Sequence, residues 1–186
     1  MDEIILASGS PRRRELLERI GLRFTVRAAD VDEQTPPGLS PAETVEGLSR
    51  RKAEAAGPHG LVIAADTMVF LDEKRLGKPS DETEALAMLT ALQGRRHRVY
   101  TGVTVRQGER YETESEATAV WFREASREEL LRYIATGEPM DKAGAYGVQG
   151  LGALLVERLD GDFFNVMGLP LLRLSRMLDR FGVRVL

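Results

Sequence analysis

A chain of 186 residues, 42% apolar and 30% charged, is long enough to bury a sizeable core in one large domain or a compact two-lobed one. The absence of cysteine and the presence of only two histidines, His59 and His97, exclude disulfides, thiolate or polyhistidine metal sites and a cysteine nucleophile; any metal would be a hard cation on carboxylates. The net charge of −3 argues against broad nucleic-acid binding, no apolar run reaches ~18 residues to span a membrane, and no signal-peptide pattern is present, so a soluble cytoplasmic protein is expected.

Ile4–Ala7 reads as a buried strand and Ser8-Gly9-Ser10 as a tight turn. A helix is predicted over Pro11–Ile20, with Ser10 at the N-cap and Pro11 at the first helical position, where its missing N–H costs nothing. Arg12, Arg13 and Arg14 then place cations at a helix N-terminus, where each costs roughly 0.3–1 kcal/mol against the helix dipole. A bound anion would remove the conflict. Backbone N–H groups, serine hydroxyls and arginines would converge on it as a polyphosphate cradle. It is not a Walker P-loop, because the Gly-Lys-Ser/Thr ending is absent.

Phe24–Ala28 reads as a second strand, followed by acidic Asp30-Val31-Asp32-Glu33 and a loop over Gln34–Gly38. Ser40-Pro41-Ala42-Glu43 is a capping box opening a helix to about Ala56. Leu61–Ala65 is a continuous apolar strand ending at Asp66, and Ser80–Leu92 a helix. Val99–Arg106 and Arg110–Phe122 are strands flanking the hairpin signal Gln107-Gly108-Glu109. Ser126-Arg127-Glu128-Glu129 is a second capping box, with a helix to about Ala135. A glycine-rich loop covers Gly137–Gly152. Ala153–Leu159 and Phe163–Met167 read as strands joined across Asp160-Gly161, and Leu169–Phe181 as the last helix. Crossovers early and hairpins late give an α/β chain with a mixed sheet, one domain over 1–186, without repeats or linkers.

Several residues carry candidate chemistry. Asp66, at the carboxyl end of a buried strand, is placed to hold Mg²⁺, to activate water, or merely to cap a turn with Thr67. Glu33 reads by itself as a solvated loop residue; it becomes a candidate metal ligand if the first two loops meet over one cleft, since a triphosphate calls for a divalent cation. Lys52 reads as part of a solvated helix face. Lys78, between Gly77 and Pro79, sits in a shaped loop. The segment 137–150 holds four glycines in fourteen positions, which permits positive φ and close approach of a ligand to backbone. Within it Gln149, with an amide donor and acceptor, is suited to a base edge or to plain solvent. Trp121, Phe122, Phe163 and Phe164 are expected in the core or an interface.

Taken together, Leu6-Ala7-Ser8-Gly9-Ser10-Pro11-Arg12-Arg13, Val31-Asp32-Glu33, Lys52-Ala53, Ala65-Asp66-Thr67, Gly77-Lys78-Pro79, Tyr100-Thr101-Gly102-Val103, the loop 137–150 and the run from Asp160-Gly161-Asp162 to Val166-Met167-Gly168-Leu169-Pro170 resemble the Maf family of nucleoside triphosphate pyrophosphatases. The resemblance spans essentially the whole chain in family order. It implies an inosine triphosphatase-like fold: an elongated mixed sheet with flanking helices, two lobes around a cleft, and a homodimer; charge and hydropathy add the expectation of no nucleic-acid or membrane partner. It implies hydrolysis between the α and β phosphates with Mg²⁺ or Mn²⁺. Carried over residue by residue, Asp66 is the proton acceptor and Glu33, with Asp66, a metal ligand. Lys52 and Lys78 would hold phosphates, and Ser8, Ser10 and Arg13 line the cradle. Arg12, Thr67 and Gln149 match the branch acting on dTTP and UTP, with modified uridine triphosphates equally open, rather than the 7-methyl-GTP branch. The role implied is house-cleaning of the nucleotide pool.

Overall fold

The computed structural model describes residues 3–28 and 30–186. A seven-stranded sheet runs in the order β2 (Thr25–Val26), β1 (Ile4–Leu6), β3 (Leu61–Leu71), β5 (Arg96–Gln107), β6 (Arg110–Phe122), β7 (Val156–Asp160), with β4 (Lys74–Leu76) paired to β3. Helices α1 (Pro11–Arg19), α2 (Pro41–Ala55), α3 (Glu82–Leu92), α4 (Arg127–Ile134), α5 (Phe163–Met167) and α6 (Leu171–Arg180) flank it. The sheet is mixed: β1 pairs parallel with β2 and β3, whereas β3–β4 and β6–β7 are antiparallel. None of the described helices is long and apolar enough to cross a membrane.

The chain divides into two compact units. The first holds residues 1–66, 101–116 and 168–186; the second holds 67–100 and 117–167. In the first, Ile5 and Ala7, Val62 and Ala64, and Ala53 and Ala56 form one buried cluster, so α2 lies on the face shown by β1 and β3. The helix begins where the capping box was read: Ser40 accepts from the Glu43 N–H, and the Glu43 carboxylate from the Ser40 N–H. Gly102 lets the helix approach further, since a Cβ there would sit 2.3 Å from the Val45 carbonyl oxygen.

In the second unit His97 is buried between Phe122 and Tyr146, its ring edge-on to both at 5.0 and 5.3 Å. Its Nε2 lies 2.7 Å from the Tyr146 hydroxyl. Trp121 is half-buried, with the Arg96 and Arg158 guanidinium groups over its ring, while Phe163 is exposed and so lies outside the core, which leaves the interface half of its expectation.

Four expectations are corrected. The strand read over Phe24–Ala28 is only Thr25–Val26, both exposed, beside the three-residue β1. Phe163–Met167 is helical, because the Asp162 carboxylate accepts the Phe164 and Asn165 N–H groups and so caps a helix where a hairpin strand was read. Ala153 lies in a 3₁₀ turn, Leu151–Leu155, and the strand begins only at Val156. The strand ending at Asp66 instead continues to Leu71 and turns back through β4; Asp72 takes a φ of 54° at that turn, a conformation aspartate tolerates better than most side chains.

Two outcomes follow. Gly102→Ala should lower stability by about 1–3 kcal/mol in urea unfolding, because β5 and the α2 backbone must part to admit a methyl group. Burial pushes His97 down to about 4 from an ordinary 6.5. Between those values the unfolded chain binds a proton that the folded chain refuses, so stability present above pH 6.5 is lost as pH falls towards 4. The loss between pH 7.5 and 5 should be roughly 2 kcal/mol, and His97→Phe should flatten that slope.

Candidate functional site

Alternation along β3 decides where Asp66 goes. Val62, Ala64 and Asp66 share one face, the face against α2. Small residues at Ala53 and Ala56 let the helix lie close, and Lys52, beside Ala53, reaches the carboxylate. Lys52 Nζ is 2.6 Å from Asp66 Oδ1 and 3.1 Å from Glu33 Oε1. The Asp66 side chain is 7% exposed and Lys52 15%, whereas Glu33 is 57% exposed. Asp66 Oδ2 is buried with no hydrogen-bond partner among the described residues. The geometry corrects two readings. Asp66 lies inside an 11-residue strand, not at its end, and Lys52 faces the sheet rather than solvent.

The acidic loop is held by the same helix. Arg51 donates to the Asp32 carbonyl at 2.7 Å and to the Gln34 carbonyl at 2.9 Å, gripping the backbone on both sides of Glu33. Sequence reasoning missed Arg51. Its available signal was adjacency to Lys52, since neighbouring helix residues reaching one loop can divide backbone and side chain between them.

The Ser8-Gly9-Ser10 turn follows β1, whose pairing with β3 is extended by the Ala7 N–H on the Ile63 carbonyl. Ser8 Oγ accepts from the Ser10 N–H at 3.3 Å and from Arg13 Nη1 at 3.0 Å. Arg13 Nε donates to the Gly168 carbonyl at 2.8 Å. Ser10 occupies the N-cap position, but its side chain makes no capping bond. The three arginines separate. Arg13 is buried and engaged with Ser8 and Gly168, and Arg14 pairs with Glu18 one turn along the exposed face. Arg12 is half-buried. Burial lowers the Arg13 pKa from its ordinary value, Asp66 pulls it back, Arg12 lowers it further and Glu33 raises it. The two carboxylates and two guanidinium groups therefore act within one electrostatic neighbourhood.

These residues all belong to the first unit. Thr67, Lys78 and Gln149 belong to the second. Thr67 is half-buried; Lys78 and Gln149 are exposed. The loop containing Gln149 is ordered as short 3₁₀ turns, Glu138–Asp141, Ala143–Ala145 and Leu151–Leu155. The Gly144 N–H donates to the Gly77 carbonyl at 3.0 Å, which ties that loop to the one carrying Lys78.

A hard divalent cation fits Glu33, beside Asp66. Among the described residues no cluster of three or more acidic or histidine side chains forms a cage. Mg²⁺ does not require one, since it commonly takes one or two carboxylates and completes its shell with water and phosphate oxygens. The exposed Glu33 carboxylate, beside Asp66 on the same lysine, fits such a donor set.

Comparison with known proteins identifies the family of the chain. A family model described as Maf-like protein matches residues 3–181. The dTTP/UTP pyrophosphatase of Pelotomaculum thermopropionicum is 51% identical over 191 residues, covering 100% of both chains. The dTTP/UTP pyrophosphatase of Exiguobacterium sibiricum is 52% identical over 181 residues, covering 97% of this chain and 93% of that one. Among solved structures, the Ham1 protein of Staphylococcus aureus aligns with a TM-score of 0.48 and 17% identity, over 64% of this chain and 71% of that one.

The Lys52 bridge makes the two ends of the pair unequal. Lys52→Met strands the Asp66 carboxylate in a buried position and should cost about 3 kcal/mol in urea unfolding. Asp66→Asn leaves Lys52 its second partner, Glu33, and should cost about 1 kcal/mol.

Proposed function

The chain belongs to the Maf family, and we propose that it is a dTTP/UTP pyrophosphatase, hydrolysing the bond between the α and β phosphates to release the nucleoside monophosphate and pyrophosphate. The observation that carries the reading is the Lys52 ammonium held between Asp66 and Glu33, with the second Asp66 oxygen buried and unpartnered among the described residues.

Asp66 is the proton acceptor. Lys52 fixes Oδ1, so the carboxylate cannot rotate, and Oδ2 remains to take a proton from water attacking the α-phosphorus. The rigid strand keeps that oxygen in place. Glu33 would hold Mg²⁺ or Mn²⁺, which when bound neutralises triphosphate charge; the metal-ligand role also expected of Asp66 gives way to its role as base, because only Oδ2 is open. Lys52, Lys78 and Arg12 oppose the remaining charge, and the pyrophosphate departs against them. Ser8 and Ser10 supply the turn that receives phosphate oxygens. Arg13 lines the same cradle and, through its bonds to Ser8 and Gly168, also holds the turn in shape. No side-chain nucleophile is required, in keeping with the lack of cysteine.

Specificity rests on Arg12, Thr67 and Gln149. The Gln149 amide offers a donor and an acceptor to the uracil or thymine edge. The thymine methyl adds only apolar contact, so discrimination between dTTP and UTP should be weak and modified uridine triphosphates should be accepted.

The test is pyrophosphate release from dTTP, UTP, CTP, GTP and 7-methyl-GTP, with Mg²⁺ and with a chelator. Metal-dependent turnover of dTTP and UTP is expected, with Asp66→Asn slower by at least about 10²-fold while far-UV circular dichroism is unchanged. Preference for 7-methyl-GTP would overturn the specificity. Tight nucleotide binding without pyrophosphate release would overturn the reaction.

A further inference from the structure

The loop that carries Gln149 is anchored by a carboxylate to which the proposed reaction gives no task. Glu138 opens the first 3₁₀ turn of that loop. Its Oε1 accepts the Tyr133 hydroxyl at 2.8 Å and the Gly152 N–H at 3.0 Å, and its Oε2 accepts the Leu151 N–H at 2.9 Å. The Tyr133 oxygen accepts the Gly147 N–H at 3.1 Å. The Lys142 ammonium, in turn, donates to the Glu138 carbonyl at 2.7 Å and to the Asp141 carboxylate at 2.7 Å. One carboxylate thus holds the backbone just after Gln149 directly, and the backbone just before it through a phenol.

The glycines of the loop serve this contact. A Cβ on Gly150 would lie 2.4 Å from Glu138 Oε2 and 2.8 Å from Oε1. A Cβ on Gly152 would lie 2.5 Å from the Gly147 carbonyl oxygen and 2.6 Å from the Tyr133 hydroxyl. Any side chain at either position would push the carboxylate or the phenol off the main chain. Electrostatics agree with a permanent anion. Burial raises the Glu138 pKa, but the Gly152 N–H, the Tyr133 hydroxyl, the Leu151 N–H and Lys142 outweigh it and hold the carboxyl below the ordinary carboxylate value. Burial pushes the Tyr133 phenol up, which keeps it a donor to Glu138 and an acceptor from Gly147.

We propose that Glu138 is the positioning residue of base recognition: its carboxylate, with Tyr133, fixes the Gly147–Gly152 backbone so that the exposed Gln149 is presented in one conformation before the nucleotide arrives. This rests on the reading of Gln149 as the residue that meets the base. A side chain held in place in advance loses less freedom on binding, so the contribution falls on KM rather than on the chemical step.

The experiment compares Gln149→Ala, Glu138→Ala and Glu138→Gln in the full chain. It measures kcat and KM for dTTP and UTP together with amide hydrogen exchange in the nucleotide-free protein. Glu138→Ala should speed exchange at Gly147, Leu151 and Gly152, with the amides of α3 still protected. It should raise KM roughly tenfold, as Gln149→Ala does, while kcat falls less than about threefold. Glu138→Gln keeps one acceptor oxygen but turns an NH₂ towards the Leu151 N–H; it should lie between wild type and alanine, and it takes the place of alanine if that variant does not fold. If Gln149→Ala leaves KM unchanged, the base-reading role fails. If Gln149→Ala raises KM while both Glu138 variants leave KM or loop exchange at wild-type values, the positioning role fails.

Discussion

The buried contact between Lys52 and Asp66 is the constraint around which the first unit is arranged. A carboxylate and an ammonium removed from water cost several kcal/mol each, and their attraction recovers that only with close geometry. An apolar pair of similar volume would pack the same space without that cost. The charged pair persists at a position where β3 is otherwise apolar on both sides, Ala64 and Ala65 before it and Met68 and Val69 after Thr67. Stability does not account for it. The proposed reaction does, since water activation calls for a fixed carboxylate with one oxygen committed and one uncommitted.

Holding that contact requires close packing elsewhere. The distance from α2 to β3 is set by alanines rather than leucines at positions 53 and 56, and its approach to β5 by the missing side chain at Gly102. A larger residue at any of these places lifts the helix and draws Lys52 from Asp66. Arg51 and Lys52 extend the same logic to the acidic loop, which has no regular structure of its own. The loop borrows its position from a helix through two carbonyls and one carboxylate. In the second unit Glu138 does the corresponding work with the polarity reversed: there an anion collects backbone N–H groups, where in the first unit cations collect carbonyls and carboxylates.

What was legible in the sequence was local. The capping boxes at Ser40 and Ser126 appear in the structure, since each is complete within four residues. The hairpin at Gln107-Gly108-Glu109 also stands, with Gly108 at a φ of 59°. Lys52, Asp66 and Glu33, each singled out in the sequence, meet in the structure, but their environments were not legible. Lys52 looked solvated because its burial depends on a strand fourteen residues away in sequence. The end of β3 was misplaced because Asp66 and Thr67 break an apolar run, and period alone does not distinguish a strand end from a buried charge whose partner lies on another element. Phe163–Met167 resembled a strand by composition, and the competing signal was a single aspartate acting as a cap.

The arginine cluster shows how a charge argument shifts once contacts are known. Three cations at a helix N-terminus seemed to demand an external anion. Arg14 is answered by Glu18 and Arg13 is absorbed into holding Ser8 and Gly168, so the protein itself resolves much of the conflict. The need for a counter-charge then moves to the substrate side. Asp66 and Glu33 with Lys52 leave their immediate surroundings net negative, and Arg12 and Arg13 only bring the neighbourhood to a weakly positive balance. A triphosphate carries several negative charges, and two carboxylates facing it would repel it. In the proposed reaction a divalent cation at Glu33 would turn the repulsion into attachment close to where water must approach the phosphorus, so the metal and the nucleotide each make a place for the other.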